Sequence, residues 1–182
     1  MAYYIRKIAK SKWTSNLDDK ESILGYRADA IANDLRTSSD TLSLWKVDSL
    51  TSENFRSIIA VNGTLSAKEE ITRMYLLCIP DNMLIGYSIK QEDGASRLSD
   101  YNRMHYNIIK LTVESLLSFA SSVVLKILND QDGQNLIRLY TIDDILTIID
   151  ERITNEDIRL SDLNEKQQKQ YIRWREKRSK IN

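Results

Sequence analysis

The sequence predicts an α+β fold, or a small α/β one, with a three- to four-stranded N-terminal sheet, short helices, one long central helix and a C-terminal helical pair. Three observations carry that expectation. Strand-like and helix-like patterns alternate through the N-terminal half. The stretch 99–129 has no strong helix breaker and is apolar round most of its circumference. The remainder carries helical stripes with legible caps.

Tyr3, Tyr4, Ile5 and Ile8 are strand formers, and the polar segment 11–22, with Trp13 as a lone aromatic, is expected to be the loop after a first strand. Ala28, Ile31, Ala32 and Leu35 repeat at the spacing of a short amphipathic helix, closed by the turn formers of 37–40. Residues 41–47 return to strand chemistry, with Leu42 and Leu44 on one side and Trp45 and Val47 on the other. Thr51 is placed to cap a helix over 52–61, Leu50 and Phe55 to staple its start, and Asn62 with Gly63 to end it. Ser66 and Glu69 spell a further capping box. The two-sided apolar run 71–79 before Pro80 nevertheless reads as a buried strand, and a fourth strand is expected within 84–90, before a polar loop at 91–96. Alternating strands and helices of this kind suit a small mixed or parallel sheet.

Over 99–129, His105, Ile108, Thr112, Leu116, Phe119, Val123 and Ile127 share one helical face. Tyr106, Ile109, Val113, Leu117, Ala120 and Val124 make a second, leaving a narrow polar seam. A helix this apolar is expected to be buried on more than one side, as a central beam. Lys110, Glu114 and Lys126 interrupt it too often for the roughly 20 apolar residues of a membrane span, so no membrane partner is expected. The polar segment 129–135 is the natural boundary between an α/β domain, 1–130, and a helical extension, 131–182, that is not an independent domain. In that extension Thr141 and Asp144 form a capping-box-like start to a helix striped by Ile142, Ile145, Leu146 and Ile149. Asp162 is expected to cap the last helix, which bears Leu163, Tyr171, Trp174 and Ile181.

Composition narrows the chemistry. With 182 residues, 42% hydrophobic and 29% charged, the chain can bury one ordinary globular core. Lys plus Arg and Asp plus Glu are both 26, so no global field draws nucleic acid or an anionic membrane. One cysteine, Cys78, allows no intrachain disulfide, and one histidine, His105, gives no metal box. The expectation is therefore no metal and no cofactor. The charged N-terminal segment lacks a signal-peptide core, which fits a cytoplasmic protein. The five glycines are too scattered for a phosphate loop, and the acidic-x-Lys triplet at Asp18 and Lys20 is expected to be a solvated turn.

One charge pattern stands out. Residues 141–160 hold six acids against two bases, whereas 161–182 hold seven bases against three acids. Either the two helices neutralise each other, or the second is an interaction surface. In the latter case Lys169, Tyr171, Arg173, Trp174, Arg175, Lys177 and Arg178 form its cationic and aromatic face. The absence of catalytic motifs favours a protein-interaction or regulatory subunit over an enzyme. An antitoxin-like role or an accessory role in a bacterial or phage conflict system fits, with another protein or a second copy as partner. The alternative is a nucleic-acid-binding protein that uses the basic aromatic helix.

Overall fold

The computed structural model describes residues 1–9, 13, 26–35, 39–129 and 136–180. The turn expected at Asp18 to Lys20, the connection over 130–135 and Ile181 lie outside them. The α+β class holds, with one six-stranded sheet in place of three or four strands. The strands are β1 (Tyr3–Ile8), β2 (Leu42–Val47), β3 (Met74–Pro80), β4 (Ser88–Gln91), β5 (His105–Ile109) and β6 (Ile137–Tyr140). The helices are α1 (Ala28–Asp34), α2 (Glu53–Thr64), α3 (Val113–Asn129), α4 (Ile142–Thr154) and α5 (Glu165–Ser179).

The strand order is β4-β5-β2-β1-β3-β6, and every pair is antiparallel, not mixed or parallel. Alternating elements misled here because α1 returns the chain beside β1 in the opposite sense. The connection through α2 then skips over β1, so β2 and β3 run the same way without touching.

A core lies on each face of the sheet, since successive residues of a strand point to opposite sides. Ile5, Trp45, Val47, Leu76 and Cys78 point to one side, beneath Phe55, Ile58, Ile145 and Ile149 of α2 and α4. Tyr4, Ile8, Leu44, Leu77, Ile79 and Ile108 point to the other, beneath Ile31 and Leu35 of the α1 segment and Phe119 and Val123 of α3.

The long helix expected over 99–129 is three elements. Residues 99–104 form a 3-10 turn, 105–109 are β5, and α3 begins only at Val113. Helical spacing concealed a strand pattern: Tyr106 and Ile108 belong with one core, while His105 lies against Trp45 of the other. Lys110, at φ 58°, breaks the chain. Thr112 and Ser115 then cap α3 reciprocally, each hydroxyl accepting the other's amide N–H at 3.1 and 2.8 Å. Nor is α3 buried on several sides. It packs Phe119, Val123 and Val124 against the sheet and leaves Val113, Leu117 and Leu125 exposed.

The ends of other elements shift for local reasons. Ser52, not Thr51, caps α2, its hydroxyl accepting the Phe55 N–H at 3.1 Å. Ser66 accepts the Glu69 N–H at 3.0 Å in a turn that starts no helix. Asn164 with Gln167, in place of Asp162, forms the capping box of α5. The Thr141–Asp144 box does start α4. β6, the strand with no expectation behind it, is four residues long and pairs with β3 from Met74↔Tyr140 to Leu77↔Ile137.

Asn62 and Gly63 lie inside α2. A Cβ on Gly63 would stand 2.7 Å from Cγ2 of fully buried Ile145, so glycine sets the approach of α2 to α4. Gly63→Ala gains up to about 1 kcal/mol of helix propensity but overpacks at a typical cost of about 1–3 kcal/mol. The expected net loss is about 1 kcal/mol in urea unfolding. Ile145→Leu removes the offending branch, so the double variant is expected to lose less than the sum of the two singles.

Candidate functional site

The acidic and basic helices meet. Along their contact, the Tyr171 hydroxyl donates to Asp150 Oδ1 at 2.5 Å and the Trp174 Nε1–H donates to Asp143 Oδ1 at 2.5 Å. Arg175 Nε lies 3.4 Å from Asp150, and Arg178 donates to the Thr147 hydroxyl at 2.9 Å. Tyr171 stacks near Trp174, with centroids 6.1 Å apart, and the Arg178 guanidinium lies 4.9 Å from the Trp174 ring. The seven predicted residues therefore divide. Tyr171, Trp174, Arg175 and Arg178 tie α5 to α4, whereas Lys169, Arg173 and Lys177 are exposed and make no ion pair among the described residues. With exposed Lys180 these three follow four-, four- and three-residue steps, which place them on one outward stripe.

Polar contacts also hold the N-terminal end of α5. Asn164 Nδ2 donates to the Ser66 and Glu69 carbonyls at 2.9 and 3.0 Å, and the Gln170 side-chain amide pairs with both backbone groups of Ile71 at 2.7 and 2.9 Å. Gln167 is fully buried. The seat combines these amides with Tyr171 in the core and Trp174 against it, an apolar stripe thin enough that the sequence resembles a free tail. Beneath it, buried Arg152 of α4 bonds Glu53 of α2 and also Asp157 at 3.0 Å, and Arg56 bonds Glu151, so α2 and α4 are cross-linked as well.

A second surface lies on the other side of the sheet. Between α1 and α3 runs an apolar groove of about 200 Å³, lined by Ala28, Ile31 and Ala32 of α1 and by Leu116, Leu117 and Ala120 of α3. None of the described residues lining it is charged. Beside it, Val113, Leu117, Ser121 and Leu125 form a four-residue-step ridge, and its three large members are 78%, 58% and 46% exposed. The breadth of the apolar surface on α3 was the sequence signal for this face. That breadth alone does not tell a second buried side from an open flank.

His105, half-buried in β5, has Nδ1 2.9 Å from the Glu92 carbonyl and lies against Trp45, with ring centroids 5.1 Å apart. No group of three or more His, Cys, Asp or Glu side chains among the described residues is arranged to hold a metal ion. Among the described residues no helix is long and apolar enough to cross a membrane. Comparison with protein-family models, curated proteins and solved structures yields no match to this chain.

The α4–α5 contact makes a pH prediction. Burial, then the Asp150 carboxylate, pushes the Tyr171 phenol up to about 12, whereas an unfolded tyrosine ionises near pH ~10. The unfolded state loses its proton first, so this stabilisation is complete below pH ~10 and fades as pH rises toward about 12. Tyr171→Phe is expected to cost about 1–2 kcal/mol at neutral pH. The gap between the wild-type and variant urea midpoints should close across that alkaline window.

Proposed function

We propose that the chain is a cytoplasmic protein-interaction module, a regulatory subunit of antitoxin-like or accessory kind, that docks an apolar helix of a partner protein in the α1–α3 groove. The observation that carries this reading is the exposed ridge of Val113, Leu117 and Leu125 beside an uncharged groove. Large apolar side chains at four-residue steps are what a second helix interleaves with, the two axes crossing at about −50°. Each Val or Leu so covered contributes about 1.5–3 kcal/mol. Small residues, Ala28, Ala32, Ala120 and Ser121, let a helix approach closely. A lining without charge makes the contact insensitive to salt.

A photo-crosslinking residue in place of Leu117, in cells that express the protein naturally, is expected to give one discrete adduct. Mass spectrometry should map its far end to an apolar helix of a different protein. Ser121→Arg, an exposed substitution in the groove wall, is expected to abolish the adduct, and raised salt to leave it intact. No adduct from folded protein, an adduct of twice the chain's own mass, or loss with salt would each overturn this reading.

A second reading, contact with nucleic-acid phosphates, rests on the unpaired outward stripe of Lys169, Arg173 and Lys177. Trp174 and Tyr171 are engaged with α4, so base stacking is not part of it. On this reading a mixed-sequence DNA duplex binds with steep salt dependence, and replacing the three cations by Ala lowers the log–log salt slope by roughly 2.7, about 0.9 per lost contact. An unchanged slope, or no binding at low salt, counts decisively against it.

A further inference from the structure

The sheet ends in two edge strands, β4 and β6. Successive residues of a strand turn their backbone N–H and C=O to opposite sides, so every second residue of an edge strand lacks a ladder partner. Glu92 donates its N–H to the His105 carbonyl at 3.3 Å, which carries the β4–β5 register, Ser88↔Ile109 to Gln91↔Tyr106, one residue further. Ser88, Lys90 and Glu92 therefore turn their backbone groups toward β5, and Ile89, Gln91 and Asp93 turn theirs outward. Gly94, the next to turn inward, donates to the Asn102 carbonyl at 2.9 Å, so the alternation holds through Asp93. Among the described residues nothing bonds the outward backbone groups of Ile89, Gln91 or Asp93.

Side chains alternate as well. Ile89 packs toward the core beneath α3, which places Lys90 and Glu92 on the other face. There Lys90 Nζ lies 2.6 Å from Glu92 Oε1, and Glu92 Oε2 accepts from Asn107 Nδ2 at 2.6 Å. The Lys90 and Glu92 side chains are 60% and 41% exposed, so both can reach across the edge. A lone charge on an edge strand guards it against pairing. Opposite charges two residues apart do the reverse, because a copy of the strand laid antiparallel can match them.

Two-fold pairing must set outward residues against outward residues, which leaves few registers. Centred on Lys90 or on Glu92, it opposes that charge to its own copy, which is unfavourable. Centred on Ile89, it needs the N–H of Tyr87, already donated to the Leu84 carbonyl at 3.1 Å. Centred on Gln91, it sets Lys90 opposite Glu92 of the second copy at both ends. Gln91 with Gln91, and Ile89 with Asp93, then exchange both N–H···O bonds. The edge of β6, Ile-Arg-Leu-Tyr, holds a base and no acid and offers no such match.

We propose that β4 is a self-association edge at which two copies of the chain join antiparallel about Gln91 into one continuous sheet. One short strand pair is a small interface, so this dimer dissociates on dilution. No residue of β4 lines the α1–α3 groove, and the two contacts stand independently.

Sedimentation velocity over a concentration series, joined to amide hydrogen exchange, tests this. The protein is expected to pass from monomer to dimer as it is concentrated, with exchange slowing at Ile89, Gln91 and Asp93 but not at Lys90. Gln91→Pro removes an outward N–H, leaves the β4–β5 ladder intact and should abolish the dimer. Lys90→Glu and Glu92→Lys should each weaken it about tenfold or more, since both cross-strand pairs become repulsive. An equimolar mixture of these two variants is expected to dimerise again, because every pair in the mixed dimer has opposite signs. If Gln91→Pro unfolds the chain, the mixture decides. A monomer at every concentration, whether or not a strand of another protein takes the edge, would overturn the proposal. So would a dimer indifferent to these substitutions, or a mixture that associates no better than its components.

Discussion

The rest of the structure depends on burying both faces of one antiparallel sheet. β1 lies between β2 and β3, and its alternation sends Ile5 to one core and Tyr4 and Ile8 to the other. Each face therefore needs its own cover, and the connections supply it. α2 and α4 close one side. On the other, α3 links β5, next to one edge, to β6 at the opposite edge. Four strand intervals of about 4.8 Å make a span of roughly 19 Å, and a helix of 17 residues at about 1.5 Å each reaches roughly 25 Å. The helix is long because it must cross the sheet.

That geometry explains which parts of the fold were legible in the sequence. β1, β2 and α1 follow from local patterns, and the Thr141–Asp144 box starts α4 where its residues place it. Residues 99–112 did not follow, because His105, Tyr106, Ile108 and Ile109 satisfy helical and strand spacing equally well. The deciding features are the pairing of β5 with both β2 and β4, and the positive φ at Lys110. Gly63 is similar. From the sequence it reads as a helix end, but it is a contact point chosen by Ile145, far along the chain.

The seven candidate residues on α5 show the same limit in electrostatic form. Charge runs can be counted in a sequence, but whether Asp143 and Asp150 face Trp174, Tyr171 and Arg175 depends on how α5 docks. That docking is directed by Asn164, Gln167 and Gln170, amides that carry no net charge and no apolar signal. Contact with α4 accounts for four of the seven, of which Arg175 pairs with an acid, Asp150. The exposed remainder, Lys169, Arg173 and Lys177, lies in a screened aqueous setting where each cation contributes little unless several act together.

The apolar groove depends on a polar clamp at the end of α1. Arg6 of β1 reaches the carbonyl of Asp34 at the end of α1, and the Asp34 carboxylate accepts from the Ala9 amide and the Trp13 indole. α1 is in turn one wall of the apolar groove, through Ala28, Ile31 and Ala32. It is seven residues long, too short to hold its position by helix formation alone. Its place against α3 rests on Ile31 and Leu35 in the core and on this polar clamp at its end. The polar clamp thus anchors one wall of the groove, while α3, the other wall, is held separately by Phe119 and Val123 against the sheet.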